Sequence, residues 1–112
     1  MVSILLSLIL CFSVFNSVDQ PNNDPCEIYG KVFYEKDPQR AHFRVYVEDS
    51  ESFADVIVFK EVNALYADRP GHWATVSNHG LADVYIYIEK NRSLADFSIY
   101  YTDIESFAGC NR

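Results

Sequence analysis

Hydrophobic and polar positions along this chain recur in a unit of thirteen residues. Alanine stands at Ala41, Ala54, Ala67, Ala82, Ala95 and Ala108, at spacings of 13, 13, 15, 13 and 13. A bulky residue precedes it at Phe53, Tyr66, Leu81, Leu94 and Phe107, and aspartate follows it at Asp55, Asp68, Asp83 and Asp96. Four residues after the alanine come Val45, Val58, Ile86 and Ile99, and one position further Tyr46, Phe59, Tyr87 and Tyr100. One unit back from Ala41 is Ile28, and the same offsets then give Val32 and Phe33. A sustained period of this kind means one local structure used repeatedly.

Each unit reads as a strand followed by a turn. In AHFRVYVED, ADVIVFKE, ADVYIYIEK and ADFSIYYTD, β-branched and aromatic residues dominate, as pleated, half-buried backbone requires. Alternation puts Ala54, Val56 and Val58 on one face, with Asp55, Ile57 and Phe59 on the other. In a later unit Ala82, Val84, Ile86 and Ile88 share a face, opposite Asp83, Tyr85, Tyr87 and Glu89. The small or branched face is the expected core, and the aromatic face is expected to be half-buried. Polar groups such as Glu48–Glu51, Lys90–Ser93 and Thr102–Glu105 supply the turns. The fold class expected is therefore all-β, a compact single domain of short strands. One unit departs from the pattern. After Ala67 and Asp68 comes Arg69-Pro70-Gly71-His72-Trp73, with two extra residues before Ala82. Proline and glycine weaken a strand, so this stretch is expected to be a loop or edge crossing. It holds the only Trp and lies close to two of the three histidines, so a surface site, if there is one, is the candidate binding loop His72 and Trp73; the competing reading is an irregular connection with Trp73 folded inward.

Ahead of the repeat, Ile4–Phe15 is apolar and uncharged. That length is too short for a bilayer core, which takes about 20 residues, and it fits the hydrophobic region of a secretory signal. The n-region lacks Lys or Arg, and Ser17 marks the best cleavage position; an uncleaved anchor is the competing reading. The expected organisation is a signal peptide over 1–18, a flexible polar segment over 19–25 and the β-repeat domain over 26–112. The localisation expected is secreted, with no membrane attachment after cleavage. Cys11 would leave with the leader. Cys26 and Cys110 then remain, and a secreted chain with two cysteines most simply pairs them. Free thiols are the alternative.

Composition narrows the function classes. With 9 basic against 16 acidic residues the net charge is −7, and all of these residues follow position 18. Nucleic-acid binding needs a basic surface and is excluded on this ground. Sixteen Tyr and Phe against a single Trp suit rigid rings standing on sheet faces.

The pieces IYGKVFYE, VYVEDSESFADVIVFK, the Pro-Gly-His-Trp stretch and LADVYIYIEKNRSLADFSIYYTDIESFAG resemble the 7(1) septoil knot domain family. The resemblance covers Ile28 to Gly109. It implies a compact, mostly β domain with a deeply knotted backbone, and it brings no established activity or catalytic residues.

Chemistry-bearing motifs are sparse. Four scattered glycines form no nucleotide-binding loop. Ser50, Ser52, Ser93 and Ser106 occupy turn positions of the repeat. His42, His72 and His79 would join a catalytic group only through the fold. The recurring aspartates lack the spacing of a calcium loop, and backbone capping is the expected role. Tyr46, Tyr85, Tyr87 and Tyr100 are expected to pack, with a binding platform as the alternative. Asn91-Arg92-Ser93 is a glycosylation sequon in a turn. The function expected is a non-enzymatic extracellular binding or structural module, without cofactor or metal, whose partner is an extracellular protein or glycan. A small hydrolase or carbohydrate-binding accessory using His72 and Trp73 is the alternative. Exposed strand edges would allow a homodimer without requiring one.

Overall fold

The computed structural model describes residues 24–111, so the leader and most of the 19–25 segment lie outside the described residues. The strands are β1 (Gly30–Tyr34), β2 (Phe43–Val47), β3 (Val56–Lys60), β4 (His72–Thr75), β5 (Val84–Ile88), β6 (Phe97–Thr102) and β7 (Gly109–Cys110). A three-residue 3₁₀ turn precedes each one. The alanine of the repeat closes that turn, its N–H donating to the carbonyl three residues back in six successive units, from Ala41 to Pro38 through Ala108 to Glu105. Ahead of the turn, the side chains of Asp24, Asp37, Asn63, Asn78 and Asn91 accept from the N–H two residues on. These short polar side chains favour that local bond over a strand ladder. Asp24 and Pro25, expected in the flexible segment, thus belong to the first turn.

Six strands close into a parallel barrel in the order β1-β5-β2-β6-β3-β4, with β4 pairing back onto β1. β7 adds antiparallel to β3. Parallel neighbours usually need a crossover of a dozen residues or more, yet only residues 35–42 separate β1 from β2. The register explains how. Tyr34 ends β1 and Phe43 starts β2, and both face Ile86 of β5, the strand between them. Val47 and Val56 likewise both face Ile99, Ile88 and Phe97 both face Val45, and Thr75 and Val84 both face Val32. The stagger carries the end of one strand level with the start of the next. Each connection need only straddle the strand between, about two strand spacings or roughly 10 Å. The turn Pro38–Arg40 accordingly packs on β5, Glu51–Phe53 on β6 and Arg92–Leu94 on β2.

The four shared residues, Val32, Val45, Ile86 and Ile99, have no exposure and form the centre of the core with Val56, Val58 and Trp73. The predicted core face of β3 is buried, and Ile57 on its opposite face is buried too, because the turn Glu105–Phe107 lies over that strand. The bulky residue before each alanine points the other way. Phe53, Tyr66, Leu81, Leu94 and Phe107 sit in the turns and are exposed. Barrel closure pairs both sides of all six parallel strands, so the unpaired edge among the described residues is that of the two-residue β7, which pairs only with β3.

The segment around His72 and Trp73 differs from expectation. Pro70 and Gly71 make the bend, with Gly71 at a φ of 85°, and strand pairing resumes at His72. His72 and Trp73 are only 3% and 1% exposed. Trp73 fills the barrel, and its Nε1–H donates to the Ile28 carbonyl at 3.1 Å. The inward-folded Trp73 is thus observed, while the loop on either reading is corrected to a buried strand. Gly71 approaches the far end of the chain so closely that a Cβ there would lie 2.4 Å from the Gly109 nitrogen.

Candidate functional site

The repeated aspartate fastens each incoming strand to its neighbour. Asp83 accepts from the Lys31 N–H at 2.9 Å, while its own N–H donates to the Lys31 carbonyl at 2.8 Å. Asp96 does the same with Arg44, at 2.7 and 2.6 Å, and Asp55 with Ser98, at 2.9 and 3.0 Å. His42 occupies the aspartate position of its unit and makes the same clasp on Tyr85. Its Nδ1 accepts from the Tyr85 N–H at 3.1 Å, and its own N–H donates to the Tyr85 carbonyl at 2.8 Å. These groups are occupied in holding the barrel. Asp68, which has no such partner strand, instead lies 3.6 Å from Arg69.

A second series runs on the same register. Glu35, Glu48 and Glu61 each follow a strand at 13-residue intervals, and their side chains are only 8%, 3% and 9% exposed. A buried carboxylate requires a partner. For Glu35 it is His79, Nε2 to Oε2 at 3.2 Å but without the alignment of a hydrogen bond. For Glu48 it is the guanidinium of Arg92. Both partners stand 44 residues further on, in the turn that follows the strand three places along the repeat. The equivalent partner of Glu61 is Glu105, another acid. There the compensating group comes from elsewhere: His72 Nδ1 lies 2.8 Å from Glu61 Oε1.

That exception opens into a cleft of about 530 Å³ lined by Arg69, His72, Ile104, Glu105 and Ser106. An ionised carboxylate can only accept, so Nδ1 carries the proton and donates to Glu61, leaving Nε2 as the uncommitted nitrogen of a side chain that lines the cleft. Arg69 reaches across to Glu105, Nη2 to Oε1 at 3.0 Å. Exposed Ile104 and Phe107 flank Glu105 in the chain. The arrangement presents an oriented imidazole, a carboxylate, a guanidinium and an apolar rim to one volume of solvent.

The other residues singled out from the sequence lie away from this cleft. Tyr85 is stacked between His42 and His79, with ring centroids 4.9 and 4.2 Å away, and Arg92 lies over Tyr46 at 5.2 Å. Half of the tyrosine column is thus covered by the crossing turns. Asn91 is exposed, and its Oδ1 accepts from both the N–H and the hydroxyl of Ser93. Cys26 and Cys110 are bonded, joining the first turn to β7 across 84 residues. Among the described residues no helix is long and apolar enough to cross a membrane. Glu61, Arg69 and Glu105 were not legible as site residues. The signal that would have found them is the glutamate column, together with the break in charge at its third partner.

A family profile matches residues 25–111. The chain belongs to the 7(1) septoil knot domain family. The match begins at the first turn and runs past β7, so the septoil knot domain includes both cysteines, which the resemblance from Ile28 to Gly109 left outside. No curated protein and no solved structure matches the chain.

Proposed function

We propose that this septoil knot domain works outside the cell as a non-enzymatic binding module, with the His72 cleft as its contact surface. The observation that carries the reading is the contrast in commitment. Along the rest of the repeat the aspartates, His42, Glu35 and Glu48 are taken up in holding strands and turns. At the cleft, Arg69 and Glu105 remain more than half exposed beside Ile104, the mixture of apolar and charged groups found where partners dock. The Cys26–Cys110 bond supports an oxidising compartment. An extracellular protein or glycan is the partner class that fits this placement. To test it, the immobilised domain and an Arg69→Ala/Ile104→Ala variant of equal melting temperature are exposed to extracellular fluid of the source. Retention of a component by the native domain alone supports the reading. Equal retention, or none, refutes the cleft as the contact surface. Exposed Asn91 is read as the glycan attachment point, checked by the mass lost on enzymatic deglycosylation.

One observation favours a second reading, a small hydrolase: Ser106 lines the same cleft as His72, whose Nδ1 is held by Glu61. A serine beside an imidazole oriented by a carboxylate is the arrangement that activates a nucleophile. Covalent labelling by a fluorophosphonate probe that disappears in Ser106→Ala would establish it, and an unlabelled native protein would dismiss it.

A further inference from the structure

We infer that the cleft is a divalent metal site, with His72, Glu61 and Glu105 as ligands. The inference starts from the repeat. Two buried glutamates, Glu35 and Glu48, each face a basic side chain supplied 44 residues later, His79 and Arg92. At the third, Glu61, that position is Glu105. The local framework is retained while the charge is inverted, so two carboxylates converge where the other units place one carboxylate and one cation. Here Glu61 rests on the His72 imidazole and Glu105 on the surface guanidinium of Arg69, so a divalent cation entering between the carboxylates takes the place of the proton on Nδ1 and of the exposed ion pair.

The donor set gives the class of ion. One ligand atom each from Glu61, His72 and Glu105 lies within 4.8 Å of the others. An imidazole nitrogen with two carboxylate oxygens suits zinc or a first-row transition ion better than calcium or magnesium, which prefer an all-oxygen shell. Across a four-coordinate zinc, ligand atoms stand about 3.4 Å apart, so the longest separation must shorten by about an ångström while the 2.8 Å Glu61–His72 pair opens slightly. Glu105 can supply that movement, because its side chain is 54% exposed and its ion pair with Arg69 lies at the surface. The other two ligands are already adjacent, and binding releases the Nδ1 proton that now joins them. His72 is 97% buried, with no bond at Nε2 among the described residues, and Glu61 is held against it at 2.8 Å. Three protein ligands leave a fourth position open to the solvent of the cleft, as in zinc sites that bind a further molecule. The site goes beyond the partner-binding reading and does not depend on it.

The test uses the purified mature chain, free of any affinity tag and of metal, titrated with zinc chloride in a calorimeter. One equivalent should bind, and cobalt(II) in its place should give the visible absorption of a low-coordinate nitrogen–oxygen site. Glu105→Gln should weaken zinc by about tenfold or more. Glu105→Arg restores the charge pattern of the Glu48–Arg92 unit, so this variant should fold normally and lose zinc binding altogether. His79→Gln, which alters a histidine outside the cleft, should leave the titration unchanged. Both Glu105 variants change an exposed side chain, so their melting temperatures without metal show that folding is intact. Absence of saturable binding to the native chain, or equal binding by native protein and Glu105→Arg, overturns the inference.

Discussion

Removing the carboxylate of Asp96 tests whether the repeated aspartate is a strand fastener. In Asp96→Ala the alanine keeps the N–H that donates to the Arg44 carbonyl and loses the oxygen that accepts from the Arg44 N–H at 2.7 Å. A hydrogen bond to a charged group contributes about 1.5–3 kcal/mol, and the exposure of Asp96 puts this one at the lower end, about 1–2 kcal/mol. For a domain of this size each kcal/mol moves the midpoint by about 4–8 °C, so the melting temperature should fall by about 5–15 °C. Asp68→Ala is the internal control. Asp68 occupies the same repeat position but makes only a surface contact with Arg69 at 3.6 Å; such pairs contribute about 0–1 kcal/mol. Asp96→Asn should recover part of the loss, since an amide oxygen still accepts. Calorimetric melting of the oxidised protein, with a denaturant series at fixed temperature, measures all three. Equal losses for Asp96→Ala and Asp68→Ala would refute the argument. A drop in the native melting temperature on adding chelator that vanished in Asp96→Ala would replace it with a cation held by the aspartates.

Gly71→Ala should be among the most damaging single changes, costing several kcal/mol by denaturant midpoint. It combines a φ of 85° with a Cβ placed 2.4 Å from backbone at Gly109, and an unchanged midpoint would contradict the close approach. Arg92→Ala leaves the buried Glu48 carboxylate without its guanidinium and should cost about 1–3 kcal/mol by the same measure. Arg92→His should be tolerated better, because His79 fills the equivalent place above Glu35. The Tyr101 phenol is pushed above the ordinary tyrosine value, chiefly by burial and secondarily by Tyr34, whose hydroxyl lies 3.0 Å away. The folded state therefore holds this proton more tightly than the unfolded chain. Its contribution is complete below about pH 10 and falls by about 1.4 kcal/mol for each pH unit above that. Tyr101→Phe should shift alkaline unfolding, followed by far-ultraviolet circular dichroism, to higher pH; an unmoved transition would show that another group controls it.

The thirteen-residue register, the all-β class and the inward faces at Val56, Val58 and Ile86 were legible because alternation and period are local signals. The backbone-bonding role of the aspartates was legible for the same reason. Strand order was not, because Val32 facing Val84 and Val45 facing Phe97 are pairings across 52 residues that no local pattern encodes. The strand at His72–Thr75 was not legible because a proline and a glycine directly precede it. They occupy only the bend, and strand pairing resumes at the next residue. The exposed Phe53, Leu81 and Leu94 show the opposite error available to such reasoning, since a recurrent bulky residue invites a core assignment that the turn does not allow. The cleft escaped notice because its meaning lies in an exception. Glu105 looks ordinary until the charges at His79 and Arg92 are set beside it.

The alternation of early and late strands around the barrel has a consequence for how the protein is made. While β1, β2 and β3 leave the ribosome they have no partners among themselves. β2 waits for both β5 and β6, and β1 waits for β4 and β5. No N-terminal fragment can complete a stable sub-barrel, so assembly must be largely post-translational and slow for so short a chain. Cys26 is synthesised early, and Cys110 comes within reach only when β7 docks on β3. The covalent bond is thus a record of completed assembly, and under oxidising conditions a chain with free thiols is one that has not finished.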